Sequence, residues 1–464
     1  MPRDPGRLPD PVTAAGSLLT SGWAANMSST LKALVPKPMI GAYHYVLART
    51  AELLYGHPSD RLVVLGITGT NGKSSTTQFV AQILTELGAK VGYTSTAGFA
   101  IAGETIENRM KMTMPGRFTL QKLLRRMVTT GCTHAVIETS SQGLIQHRHL
   151  GINYDVALFT NLTPEHIEAH GGFEHYKQAK GILFSHLTRR RHKTIGGKHI
   201  PKVNVVNADD EHAPFYAKFP ADRHVSFGWK GEHSNDRLVA KLVGAGADGM
   251  IVEVNGLPFR LSLHAEFERL NALAAIAAVH SLVYPLNDVL RAAESLRSVP
   301  GRFEWIRAGQ PFAVIVDYAY EPFALESLFR SLAPFHFHRV IGVHGSAGGG
   351  RDVARRPVIG KLAAQHEDIV VVTNEDPYQE DPRAIMAAVA AGARQQGKVD
   401  GKDLFVIEDR QAAIDRAIGL AQPGDVVLLT GKGSEPVMAV ASGSVPWDDR
   451  EAARKALAKL GYRV

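Results

Sequence analysis

The stretch Gly66-Ile67-Thr68-Gly69-Thr70-Asn71-Gly72-Lys73-Ser74-Ser75 decides the fold of this chain. An apolar run, Leu62 to Leu65, precedes it and reads as a buried strand, and a helix-periodic segment follows from about Lys73 to Leu87. A glycine-rich turn between strand and helix aims successive backbone N–H groups inward, at the positive end of the helix dipole. In such a loop Lys73 reaches the β- and γ-phosphates and Ser74 ligates Mg²⁺. The strict Walker pattern has glycine where this chain has Ile67, so Gly69-Thr70-Asn71-Gly72-Lys73-Ser74 is a variant, more specific than a loose P-loop. These residues favour a nucleoside-triphosphate site over a bare tight turn.

The chain has 464 residues, too many for one core, so two or three domains are expected. Its 45% hydrophobic and 21% charged residues are ordinary for a soluble globular protein. The net charge of +7 favours anionic partners such as nucleotides, nucleotide-sugars, nucleic acid or anionic lipid. No basic stripe with interleaved aromatics stands out, so no nucleic-acid partner is expected. The densest basic run, Arg189-Arg190-Arg191-His192-Lys193, reads as a solvated surface turn. The single cysteine, Cys132, excludes an internal disulfide and a thiolate zinc site and suits a reducing cytoplasm. No apolar stretch approaches the ~18 residues of a membrane span, and the N-terminus lacks the apolar core of a signal peptide. A cytoplasmic monomer is expected.

Three regions follow from composition and periodicity. Residues 1–58 form a short N-terminal segment, with a Pro-, Gly- and Ser-containing tail and a short helix within 31–56 that carries Tyr43, Tyr45, Leu47, Leu53, Leu54 and Tyr55. That helix is expected to pack onto the next domain, with a membrane surface as the alternative. In residues 59–298 the strands Leu62–Ile67, Ala135–Ile137, Val156–Phe159 and Val203–Val206 alternate with helical stretches, which argues a mainly parallel sheet covered by helices. Residues 236–263 alternate apolar and polar with Gly-rich turns, a small antiparallel addition. In residues 299–464 a second alternating block (Ala313–Val316, Val340–Val343, Ile369–Val372, Leu404–Ile407 and Val426–Leu429) reads as a Rossmann-like domain.

A P-loop alone leaves GTPases, kinases, motors and ligases open. The next signal is Glu138-Thr139-Ser140-Ser141-Gln142-Gly143-Leu144-Ile145-Gln146-His147-Arg148, directly after an apolar strand. A carboxylate at a strand's C-terminal end, where ligands of open α/β sheets gather, suits Mg²⁺. Thr160-Asn161-Leu162-Thr163-Pro164-Glu165-His166 ends another strand, and His175-Tyr176-Lys177-Gln178-Ala179-Lys180 follows. Taken singly, His166 or Lys180 reads more simply as structural or solvated. Their order after successive strand ends lets all of them converge on one pocket.

This order resembles the Mur ligase family, and within it the MurE-type enzymes, which add the third amino acid to the peptidoglycan stem peptide. The resemblance covers about residues 60 to 440. It includes the pieces above and Tyr176-Lys177-Gln178-Ala179-Lys180, Gly301-Arg302-Phe303-Glu304, Val316-Asp317-Tyr318-Ala319 and Thr430-Gly431-Lys432-Gly433-Ser434-Glu435. It implies an ATP- and Mg²⁺-dependent activity in which a carboxylate becomes an acyl phosphate and an amine attacks it, giving an amide, ADP and phosphate. The implied acceptor is UDP-N-acetylmuramoyl-L-alanyl-D-glutamate.

Carried over position by position, the resemblance implies that Gly69, Thr70, Asn71, Gly72, Lys73, Ser74 and Ser75 hold the phosphates. Ser74 and Glu138 would bind one Mg²⁺, and His166 with a carbamylated Lys180 a second; a carbamate turns a repelling ammonium into a metal-supporting anion. Asn161 would help position this pocket. Asn271, Arg302 and Asp317 would close on the nucleotide. Thr113, Ser140, Gln146 and Arg148 would contact the muramoyl-peptide. Arg351, Asp376, Tyr378, Gly431 and Glu435 would select the amine. Where diaminopimelate ligases carry Asp-Asn-Pro-Arg, this chain has Glu375-Asp376-Pro377-Tyr378, so the arginine that forks onto a distal carboxylate is missing. The added negative charge favours lysine or ornithine, with diaminopimelate as the alternative.

Other departures concern the adenine pattern Gly-x-Asn-x-x-Asn, whose first Asn is here Glu268, and two family histidines, here Tyr320 and Ser434. The segment before the loop is too short for the uridine-binding domain of such ligases. Three competing readings therefore stay open: a folylpolyglutamate-synthase-like ligase, a ligase on another acceptor such as a lipid-linked muramoyl peptide, and a non-catalytic ATP-binding regulator.

Overall fold

The computed structural model describes residues 37–108, 112–164, 170–232, 234, 236–246, 249–350 and 353–463. In the first half the strands are β1 (Val63–Thr68), β2 (Val91–Ser95), β3 (Gly98–Ile101), β4 (Glu104–Ile106), β5 (His134–Glu138), β6 (Val156–Phe159), β7 (Lys193–Ile195), β8 (Lys198–Ile200), β9 (Val203–Asn207), β10 (Arg223–Gly228), β11 (Arg237–Gly246), β12 (Gly249–Val254) and β13 (Leu257–Leu261). The helices are α1 (Lys37–Leu54), α2 (Lys73–Glu86), α3 (Arg117–Thr129), α4 (Ser141–Ile145), α5 (Phe173–Leu187), α6 (Ala213–Ala217), α7 (Glu266–His280) and α8 (Leu286–Ala293). Apart from the β7–β8 hairpin, these strands form one sheet in the order β13-β12-β11-β10-β9-β6-β1-β5-β2-β3-β4. From β11 to β2 every pairing is parallel. Antiparallel strands extend both ends, including the addition expected over 236–263.

The apolar run of β1 shows why the sheet is parallel and central. Val63, Leu65 and Ile67 pack on one face with Phe79 and Ile83 of α2 and Leu273 and Ile276 of α7. Val64 points to the other, with Leu120 and Leu124 of α3 and Leu183 and Phe184 of α5. A strand buried on both faces cannot alternate apolar and polar, which is the signature of a sheet sandwiched between helices. Each of these side chains contributes about 1.5–3 kcal/mol on burial.

The second half repeats the plan. Its strands β14 (Glu304–Trp305), β15 (Ala313–Val316), β16 (Val340–His344), β17 (Ile369–Thr373), β18 (Leu404–Ile407) and β19 (Val426–Leu429) run in the order β14-β15-β19-β16-β17-β18. All pairs are parallel except β14 with β15. Helices α9 (Pro322–Leu332), α10 (Arg355–His366) and α11 (Pro382–Gln395) cover one face. Helices α12 (Arg410–Leu420) and α13 (Asp449–Lys459) cover the other. The hairpin β20 (Val437–Val440) and β21 (Gly443–Pro446) follows the last sheet strand.

Two expectations are corrected. The helix placed within 31–56 is not short: α1 spans 18 residues, with Ala48, Ala51 and Glu52 buried toward α3 and Tyr45, Val46, Leu53 and Leu54 exposed. The basic run 189–193 is not simply a solvated turn. Arg190 ion-pairs with buried Glu52, and Lys193 is itself buried, its Nζ 2.6 Å from Asp155 Oδ2. Lys202 holds the other Asp155 oxygen at 3.1 Å. Sequence hid this because the acidic partners lie on distant elements. Among the described residues no helix is long and apolar enough to cross a membrane.

Candidate active site

The phosphate-type loop joins β1 to α2 and is braced from β6. Asn71 N–H donates to Asn161 Oδ1 at 2.8 Å, and Asn161 Nδ2 returns a bond to Asn71 O at 3.1 Å. Thr70 N–H donates to the Asn161 carbonyl at 2.8 Å. Gly72 adopts φ +80° as the cap of α2, and a Cβ there would lie 2.1 Å from Asn271 Oδ1, so only glycine lets α7 approach the loop. Lys73 is folded back, its Nζ donating to Thr70 O at 2.6 Å.

At the C-terminal end of β5, Glu138 is almost fully buried and gathers oxygen donors around itself. Ser74 Oγ donates to its Oε2 at 2.8 Å, Thr96 N–H to the same oxygen at 2.7 Å, and Thr96 Oγ1 lies 3.1 Å from Oε1 and 2.8 Å from Thr113 Oγ1. One carboxylate among hydroxyls, beside an anion cradle, fits Mg²⁺, which takes few protein ligands and shares the rest with phosphate. Thr96 escaped sequence reading; its only signal is a small polar residue just past a strand end. Lys180, equally buried on α5, donates to Gly69 O at 2.6 Å and lies 4.1 Å from the Tyr176 ring centroid. The sequence-derived His166 and Arg351 lie outside the described residues.

A cavity of about 1080 Å³ opens between the two sheets. From the first half it is lined by the loop from Thr70 to Ser75, Thr113, Glu138, Ser140, Arg148, Lys180 and Asn271. From the second it is lined by Arg302, Asp317, Asp376, Tyr378, Gly431 and Glu435. Gln146 is not in the wall: its Oε1 accepts from Arg148 Nη2 at 2.6 Å, so it positions that arginine. Ser140 Oγ caps α4 by accepting from Gly143 N–H at 3.1 Å.

The second half meets the cavity through a tight network. Asp317 accepts from the N–H groups of Phe303 and Ala319, both at 2.7 Å; burial raises its pKa, and Arg302 opposes the rise. The Arg302 guanidinium stacks 4.0 Å from the Tyr318 ring centroid. The charge argument for the amine pocket needs correction. Asp376 and Glu435 both bind the buried Lys432 ammonium, and Glu435 also accepts from Tyr318 O–H at 3.0 Å. Their charge is largely spent on Lys432, whose pKa they raise against its burial. Glu375 differs: burial pushes its pKa up to about 7, and its Oε2 has no hydrogen-bond partner among the described residues. Gly431 lies against it, since a Cβ there would come within 2.4 Å of that oxygen. Glu268 does not line the cavity; its Oε2 accepts from the N–H groups of Ala265 and His264 at 3.1 and 3.2 Å, so it caps α7.

A phosphate-binding loop, a strand-end carboxylate and a buried lysine, facing a second, mainly parallel sheet across one cleft, define a two-sheet nucleotide-dependent enzyme of the α/β class. Residues 67–279 match the Mur ligase middle domain and residues 301–433 the Mur ligase glutamate ligase domain. The chain belongs to the Mur ligase family and is an ATP-dependent ligase. It is 40% identical over 437 residues to the UDP-N-acetylmuramyl-tripeptide synthetase of Roseiflexus sp. (strain RS-1), covering 92% of this chain and 85% of that one. It is 35% identical over 434 residues to the UDP-N-acetylmuramoyl-L-alanyl-D-glutamate--2,6-diaminopimelate ligase of Geobacillus kaustophilus (strain HTA426), with the same coverage of 92% and 85%. A solved structure of a ligase of that name aligns with TM-score 0.57 at 27% identity, over 86% of this chain and 79% of the other. A Mycobacterium tuberculosis folylpolyglutamate synthase complexed with ADP and AMPPCP aligns with TM-score 0.64 at 21% identity, over 83% and 91%, and shares the fold.

Proposed function

We propose that this ligase joins a diamino acid to the terminal carboxylate of UDP-N-acetylmuramoyl-L-alanyl-D-glutamate, with ATP as the energy source. The names of the Roseiflexus and Geobacillus relatives support the acceptor. The observation that carries the reading is the Ser74–Glu138 contact of 2.8 Å, set beside Lys73 and Lys180 in a cleft that the second sheet also lines. A regulator that only binds ATP has no need of a second metal, the one that His166 and a carbamylated Lys180 would hold.

In the proposed reaction a carboxylate oxygen of the acceptor attacks the γ-phosphorus, and the bond to the ADP oxygen breaks. The incoming amine then attacks the acyl carbon, inorganic phosphate leaves, and the nitrogen loses a proton. The loop amides orient the phosphates, and Lys73 exchanges its Thr70 carbonyl for phosphate oxygens. Ser74 and Glu138 would hold Mg²⁺; Lys180, as a carbamate, would join His166 in holding a second. When bound, such cations neutralise charge as it shifts between phosphate oxygens. Arg302 and Asp317 approach from the second sheet and exclude water from the reacting acyl group.

Glu375 supports a cationic distal end on the amine. Its unpartnered oxygen accepts an ammonium group well, and a bound ammonium would draw its proton off. Tyr378 cannot fork onto a distal carboxylate, which supports lysine or ornithine, whereas the Geobacillus relative's name supports diaminopimelate. The test is phosphate release from ATP with UDP-N-acetylmuramoyl-L-alanyl-D-glutamate and a panel of lysine, ornithine, diaminopimelate and neutral amino acids, with Lys73→Ala as the blank. Release that needs both the muramoyl dipeptide and one amine supports the reading. Silence across the panel, with ATP still bound, refutes the acceptor.

A further inference from the structure

Helix α1 is apolar on more than one side. Along Lys37–Leu54 the charged residues are Lys37, Arg49 and Glu52. The inner side meets α3 and buries Ala48, Ala51 and Glu52. The outer side carries Ala42, Tyr45, Val46, Thr50, Leu53 and Leu54, all exposed, and their spacing by threes and fours puts them on one face. Tyr45, Val46, Leu53 and Leu54 are between 47% and 67% exposed. A helix face turned to water is ordinarily charged. A single exposed leucine needs no account, but four large apolar side chains on one helix face form a patch, and such patches mark an interaction surface.

The charges around this patch point outward with one sign. Glu52 is 2% exposed and turned inward, where Arg49 at 2.8 Å, His57 at 3.0 Å and Arg190 all hold its carboxylate. Asp60 is mostly covered and pairs with Arg191 at 2.9 Å. The basic side chains reach the other way. Arg191 is 79% exposed, Arg189 is exposed beside it, and Arg49 is partly exposed with its guanidinium 5.4 Å from the Tyr45 ring centroid. Acids drawn inward and arginines left at the surface give the apolar strip a positive rim.

Such a strip complements a surface that is apolar beneath and anionic above. Another protein would have to supply a groove for one convex helix, whereas lipid moulds itself to the helix. The strip from Tyr45 to Leu54 runs about 14 Å along the axis at 1.5 Å per residue, the proportions of a helix lying in the headgroup plane. It would lie on a bilayer rather than cross it, since no helix among the described residues is long and apolar enough to cross. We propose that the outer face of α1, rimmed by Arg49, Arg189 and Arg191, docks this ligase on an anionic lipid surface. Leu53 and Leu54 enter the acyl boundary, Tyr45 sits at headgroup level with its hydroxyl toward water, and the arginines meet lipid phosphates. Because α1 packs on α3 and Glu52 is tied to Arg190 just past α5, docking holds the ATP-binding half of the chain at the surface.

The test needs no turnover and does not depend on the acceptor or the amine. The full chain is sedimented with extruded vesicles of phosphatidylcholine, alone or mixed with phosphatidylglycerol. We expect binding to the mixed vesicles, little binding to the neutral ones, and a loss of binding as salt is raised. Leu53→Ser combined with Leu54→Ser should weaken binding about tenfold or more, by removing the apolar area that enters the lipid. Arg191→Glu should weaken it severalfold. Affinity for a non-hydrolysable ATP analogue equal to the parent's shows that these variants are folded; if either fails that control, Val46→Ser and Arg189→Glu carry the comparison. Absence of binding to the mixed vesicles, equal binding to both kinds, or binding that the folded variants leave unchanged overturns the proposal. A dimer in lipid-free solution, seen by light scattering and dissolved by the two serine substitutions, would give this face to a second copy of the chain and overturn it as well.

Discussion

Ser74 and Glu138 are 64 residues apart in the chain, yet the serine hydroxyl donates to the carboxylate at 2.8 Å. The pairing of β1 with β5 produces this contact, because Ile67 sits opposite Glu138 in the register. The carboxylate therefore emerges at the level where the loop begins. We expect Glu138→Ala to lower ATP-dependent phosphate release by about 10²–10³-fold, as loss of a preorganised charge group does elsewhere. The required Mg²⁺ concentration should rise as well. Phosphate release measured across a Mg²⁺ series tests this, and an unchanged Mg²⁺ requirement would remove Glu138 from the metal site.

Lys180 is buried against the Gly69 carbonyl, so truncating it leaves a small cavity beside the loop. Lys180→Ala should lose nearly all activity, and added formate or acetate should restore part of it by replacing the proposed carbamate. Absence of rescue in a protein that still binds ATP would count against the carbamate.

By the family resemblance, Tyr378 stands where an arginine is expected in diaminopimelate ligases. Tyr378→Arg is expected to raise the use of diaminopimelate relative to lysine, because a guanidinium can fork onto the distal carboxylate. Competition between the two amines in one assay gives the ratio directly, and an unchanged ratio would take this segment out of amine selection.

Glu268 is a buried carboxyl whose pKa rises from 4.5 to about 7, chiefly through desolvation. Its protonated form is favoured by folding, so its contribution is complete below the unfolded pKa and is lost as pH rises through about 7. Glu268→Gln keeps a neutral group there at every pH. Urea titrations should find the variant and the parent similar near about pH 5, with the variant gaining up to about 3 kcal/mol by about pH 8. A constant difference across that range would mean the carboxyl is not protonated in the fold.

Lys432 is the shared partner of Asp376 and Glu435. Lys432→Met removes a buried cation that two inward-facing carboxylates share and should destabilise the protein by about 3–5 kcal/mol. Denaturant unfolding reads this, and a loss below about 1 kcal/mol would show that water already screens the pair.

Much of the architecture was legible because it rests on local patterns. Strands β6, β15 and β19 have the bounds their apolar runs suggested, since a strand buried on both faces must be apolar throughout; the edge strand β18 matches too, though Val406 is exposed. Strand β2 was not foreseen; Val91–Ser95 is short and mixed, and only its place beside β5 makes it a strand. The buried Lys193–Asp155–Lys202 cluster was equally invisible, because a basic run looks the same whether its partners are water or distant acids.

The sequence by itself determined the phosphate loop, the alternation that builds two helix-covered sheets, and the order in which site residues leave successive strand ends. These depend on neighbours in the chain: turn glycines, helix starts and apolar periodicity. Only the tertiary structure decided which charges remain available. It spent Asp376 and Glu435 on Lys432, left Glu375 Oε2 with no hydrogen-bond partner among the described residues and turned Glu268 into a helix cap. The physical reason is that a group's charge and reach are set by the groups that crowd around it in space, and those arrive from strands and helices far away in the chain.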